Sequence, residues 1–76
     1  MNLTILKMNS EFAKRFKQLR IEKKVTLRQL AVAIGVSDSA VSQWELGKTS
    51  ILLEHAILVA DYFNVSIDYL AGRTEY

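Results

Sequence analysis

The 76-residue chain contains no cysteine and no proline, only three glycines and a single histidine. Without cysteine there are no disulfides and no thiolate metal sites, and the composition suits a reducing, cytoplasmic setting. His55 alone builds no metal site. Catalysis requires converging acids, bases or nucleophiles. The chain offers no glycine-rich phosphate loop, and His55 sits in a mainly apolar helical pattern as a surface or boundary residue. No apolar run approaches the roughly 18 residues of a membrane span. The apolar residues at the N-terminus are interrupted by Asn2, Thr4 and Lys7, unlike a secretory signal. Neither an enzyme nor a membrane-spanning protein is expected, and no cofactor is implied.

Half of the residues are hydrophobic, which supplies a packed core for one domain near the lower size limit for independent folding. The formal net charge of +2 conceals a division. Residues 1–28 carry eight Lys and Arg against two Glu, and residues 29–76 carry two against six Asp and Glu. This polarity suggests a polyanion meeting mainly one end of the sequence; a solvated basic helix is the plainer reading.

The hydrophobic spacing predicts helices joined by short turns. The first runs from about Ser10 to Lys24, capped by Asn9 or Ser10, with Phe12, Phe16 and Leu19 on one face. The second covers about Leu27 to Ile34. Thr26 and Gln29 have capping-box spacing, Leu27, Leu30, Ala31 and Ile34 face inward, and Gly35 ends it. The third spans about Asp38 to Leu46 behind the cap Ser37. The fourth, about Leu53 to Phe63, has Leu53, Ala56, Ile57, Ala60 and Phe63 as its expected core stripe, with Leu52 and Val59 beside it. A short fifth helix, about Ile67 to Ala71, follows Ser66. Residues 1–8 are set apart as an N-terminal arm, a short strand or a disordered segment, with Met8 as an alternative start. Residues 9–72 form the expected domain and 73–76 a tail.

The informative unit is Thr26 to Lys48: two short helices around the tight turn Gly35-Val36-Ser37. A major groove admits one helix. A helix that reads it needs short polar side chains outward, a narrow apolar strip inward, and a supporting helix packed across it. Ala31 permits close approach, Gly35 the sharp turn, and Val41 the anchoring.

The run TLRQLAVAIGVSDSAVSQWELGK resembles the lambda-repressor-like, or XRE, helix-turn-helix family. The likeness extends to Leu19-Arg20 upstream and to ADYFNVSIDYLAG downstream, roughly residues 10–72. It implies an all-α, five-helix domain that binds double-stranded DNA with its third helix in the major groove. By position, Ser37, Asp38, Ser39, Ser42 and Gln43 would face base edges. Gln43 suits adenine, and Asp38 is an acceptor suited to a cytosine amino group or, alternatively, a partner for the helix dipole. Thr26, Arg28, Trp44, Lys48 and Thr49 would contact phosphate, with core packing as the other role of Trp44. Arg20 and Glu45 match a structural salt bridge.

Two departures stand out. Leu27 occupies a position where the family often has a phosphate-touching glutamine. Ile51-Leu52 replace a common Pro-Ser pair before the fourth helix; core packing is the simpler reading for Ile51. A regulator of this kind, expected to act as a repressor of bacterial or phage origin, implies a homodimer on an inverted-repeat operator. Leu52, Leu58, Tyr69, Leu70 and Tyr76 are the candidates for its interface, and the N-terminal arm could pair between subunits. The rival reading is a protein-interaction module or antitoxin on the same fold, because residues 29–47 contain no Lys or Arg. Binding to a membrane surface through the basic first helix is disfavoured, since that helix needs its apolar face for the core.

Overall fold

The computed structural model describes residues 3–75, with side chains from residue 11 onward. Five helices, and no strand, occur among the described residues: α1 (Leu3–Glu22), α2 (Leu27–Ile34), α3 (Asp38–Leu46), α4 (Leu53–Phe63) and α5 (Ile67–Leu70). Their common core is contributed by every helix. Phe12, Phe16 and Leu19 come from α1, Leu30, Ala31 and Ile34 from α2, Val41 and Trp44 from α3, and Leu70 from α5. Phe16 lies at the centre, its ring centroid 6.4 Å from that of Trp44 and 6.5 Å from that of Phe63.

Three boundaries follow from side-chain caps. The hydroxyls of Thr26, Ser37 and Ser66 accept from the backbone N–H of Gln29, Ala40 and Tyr69 at 3.0, 3.1 and 2.9 Å. At Thr26 the box is closed, because its own N–H donates to Gln29 Oε1 at 2.8 Å. Each bond satisfies an N–H that has no partner inside its helix.

The structure departs from the sequence expectations at four places. The first helix starts at Leu3 rather than near Ser10. Residues 3–8 are therefore helical, not a strand, and Asn9 and Ser10 lie inside the helix instead of capping it. With neither proline nor glycine to stop it, a helix nucleated by the Phe12–Leu19 segment propagates through its neighbours. Second, α1 ends at Glu22, and Lys24 takes the left-handed conformation, φ 58°. Third, the buried residues of α4 are Ala56, Val59, Ala60 and Phe63, whereas Leu53 and Ile57 are exposed. The helix is apolar on more than one face, and the stripe that packs is the one rotated towards Val59. Fourth, Leu70 is completely buried. It belongs to the core and offers no surface for a second subunit.

Ile51 is buried in the core. The adjacent Leu52 stands at the N-cap of α4 without a side-chain cap and is half exposed.

The C-terminal segment is clipped to α1. Arg15 Nη1 donates to the carbonyls of Tyr69 at 3.2 Å and Thr74 at 2.8 Å, and its guanidinium lies 4.7 Å from the Tyr69 ring centroid. Gly72, at φ 80°, passes so close that a Cβ there would stand 2.8 Å from Glu11 Cβ. Tyr69, one of the dimer candidates, is thus half-buried and engaged within its own chain. Tyr76, another, lies outside the described residues.

Candidate nucleic-acid interface

The turn between α2 and α3 has three residues. Gly35 adopts φ 88°, and the N–H groups of Gly35 and Val36 both donate to the Ala31 carbonyl, at 2.8 and 3.0 Å. A side chain at Gly35 would meet open space, so the requirement there is conformational rather than steric. Ser37 then begins α3 in an extended conformation.

With 3.6 residues per turn, α3 divides into two faces. Val41 and Trp44 point into the core. Ser39, Ser42 and Gln43 occupy the opposite face together with the exposed Leu46, and Asp38 stands at its edge in the first turn. Asp38 and Ser39 are exposed, while Ser42 and Gln43 are partly covered. Ser37 is exposed as well, although its hydroxyl oxygen already accepts from Ala40 N–H. It retains a hydrogen to donate.

The expected phosphate set divides. Thr26, Arg28, Lys48 and Thr49 are exposed. Trp44 is a core residue, 6% exposed, with its ring 5.5 Å from that of His55. Its packing role is therefore the established one in the free protein. Thr26 lies at the first turn of α2 and Lys48 just beyond Gly47, where α3 ends in a left-handed residue of φ 70°.

Arg20 and Glu45 pair as expected. The Arg20 Nε and Nη2 groups grip the two carboxylate oxygens, the second at 3.1 Å, and Nη1 donates to the Val25 carbonyl at 2.8 Å. The side chains are 17% and 6% exposed. This bidentate contact fixes α3 against α1. Arg28 and Asp38 also pair, Nε to Oδ2 at 3.6 Å, across the first turns of α2 and α3. Sequence reasoning assigned both to the surface but did not join them. The link depends on the angle between two helices, which no local pattern encodes.

A family model described as helix-turn-helix, HTH_3, matches residues 16–70. The chain belongs to the lambda-repressor-like helix-turn-helix family. Among solved structures, this helix-turn-helix domain is similar to the P22 c2 repressor in complex with synthetic operator 9T. The TM-score is 0.77 and the identity 28%, covering 83% of this chain and 96% of that one. It is 38% identical over 65 residues to the HTH-type transcriptional activator BcrR of Enterococcus faecalis. It is 33% identical over 64 residues to YobD of Bacillus subtilis (strain 168), an uncharacterized HTH-type transcriptional regulator. These matches cover 86% and 84% of this chain but 32% and 57% of the relatives, so the chain spans only part of their length.

Proposed function

We propose that the chain binds duplex DNA sequence-specifically as a transcriptional regulator, with α3 in the major groove. The observation that carries this reading is the polar surface of α3, exposed at Asp38 and Ser39 and partly covered at Ser42 and Gln43, turned away from the Val41 and Trp44 anchor. Serine and glutamine hydrogen-bond base edges without large charge. Thr26, Arg28, Lys48 and Thr49 flank that face and serve phosphates, which fix register without reading sequence. The P22 c2 repressor, named as a complex with an operator, supports DNA as the partner.

One reading helix covers few base pairs, so specificity calls for a homodimer on an inverted repeat with half-sites about 34 Å apart. The domain measures 31 × 24 × 19 Å, a size at which two adjoining copies reach successive major grooves. Leu52 and Leu58, both exposed, are the dimer candidates that keep a free surface, and they fall beside the exposed Leu53, Ile57 and Tyr62. Repression follows where the bound site overlaps that of the polymerase. The relatives carry names of both signs, activator and repressor.

The test is selection of bound duplexes from a random pool at low and moderate salt. Enrichment of an inverted repeat supports the reading, and steep loss of binding with salt marks the phosphate contacts. A folded protein that enriches nothing refutes it. That result would favour the second reading, a protein-interaction module or antitoxin, for which the specific observations are the cation-free stretch 29–47 and the exposed apolar residues of α4.

A further inference from the structure

The surface proposed to meet DNA holds an anion where cations are expected. Asp38 Oδ2 lies 3.6 Å from Arg28 Nε, and the side chains are 50% and 79% exposed. A pair this exposed adds little to stability. Its place is informative: it joins the first turns of the two helices that frame the proposed interface.

A carboxylate in the major groove only accepts. The edges it meets are mostly acceptors: N7 and O6 of guanine, N7 of adenine, O4 of thymine. The cytosine amino group is the donor that stands without an adjacent acceptor on its own base. Opposite guanine or thymine, a carboxylate that lost its cation would be held against lone pairs and cut off from water, a penalty that a charged group feels strongly, and opposite adenine the N7 lone pair stands beside the amino donor.

We propose that Arg28 and Asp38 act as a partner-exchange pair that makes Asp38 a specificity-determining residue. Off DNA, and on mismatched DNA, the guanidinium stays with the carboxylate. A cytosine amino group opposite Asp38 takes over the carboxylate and releases Arg28 to a phosphate oxygen. The phosphate contact of Arg28 is then conditional on the base. This inference rests on the DNA-binding reading above and adds a coupling between two contacts that reading treats as independent.

The experiment is a double-substitution cycle in the full chain. Wild type, Asp38→Asn, Arg28→Ala and the double variant are titrated against the selected duplex. The titrations are repeated with the three alternatives at each base pair of a half-site and with a random duplex. Wild type should prefer cytosine at one position by about tenfold. Titrated across salt concentrations, Arg28→Ala should shallow the salt slope by about one on that duplex, where Arg28 holds a phosphate, and leave the slope unchanged on the mismatched ones, where it holds Asp38. Asp38→Asn should abolish the preference and tighten binding to random duplex. In that background, Arg28→Ala should weaken all duplexes by the same factor. Both side chains are exposed, and circular dichroism checks that each variant is folded.

The proposal is overturned if, with Asp38 present, Arg28→Ala shallows the salt slope equally on matched and mismatched duplexes, or if Asp38→Asn leaves the selected sequence unchanged. Those results spare the DNA-binding reading. A wild-type protein that binds no duplex removes both.

Discussion

Arg20 and Glu45 hold three parts of the chain at one point: α1, the turn carbonyl of Val25, and α3. Removing one partner strands the other where water reaches it poorly. Glu45→Ala is expected to lower stability by about 3–5 kcal/mol in urea unfolding, with the backbone fold retained in what remains native. A loss below 1 kcal/mol would mean that the pair behaves as a surface ion pair. Gln43 stands on the opposite side of α3. Gln43→Ala should leave stability nearly unchanged, weaken binding to the selected duplex by about 1–3 kcal/mol and relax preference at one base pair. Equal weakening on every duplex would remove it from the base-reading set. At this scale the sequence was informative wherever a residue had to match a motif position, as at Arg20, Glu45, Thr26 and Ser37. It was silent on pairs created by tertiary approach. The grip of Arg15 on Thr74 spans 59 positions, and the Arg28–Asp38 pair depends on how two helices cross.

Among the elements, α2 and α3 were legible to the residue because hydroxyl caps and left-handed glycines mark both their ends. The end of α1 has no such marker. Lys24 N–H donates to the Ile21 carbonyl and Val25 N–H to that of Arg20, a helix-terminating pattern in which the left-handed residue is ordinarily glycine. Lys24→Gly is therefore expected to stabilise the domain by about 1 kcal/mol, read as a higher urea midpoint at constant slope. A lower midpoint would mean that the backbone freedom gained by the unfolded chain outweighs the relieved strain. The misassigned stripe of α4 has a different origin. Periodicity identifies a core face only when the opposite face is polar, and Leu53, Ile57, Leu58 and Tyr62 leave that face ambiguous.

For the molecule as a whole, α4 carries an unusual combination: an N-cap without a capping side chain, and exposed leucines at and beside it. Serine at that cap would supply the missing acceptor. Leu52→Ser should raise the stability of the monomer by about 1 kcal/mol and at the same time weaken the proposed dimer in sedimentation. Unchanged self-association would remove Leu52 from the proposed interface. The basic residues of α1 are carried on a helix that also bears Ile21 exposed at its surface, while the proposed DNA contacts lie at the start of α2, along α3 and just beyond its end.

Trp44 is the single tryptophan of the chain, packed against Phe16 and beside His55. The molecule thus contains one indole fluorophore, which can be excited apart from the three tyrosines, mounted on the buried side of the helix whose other side is proposed to meet DNA. Its emission shifts to the red when α3 leaves the core. Unlabelled protein can therefore report optically whether a substitution on the outer face has disturbed docking alone or the seating of the helix itself.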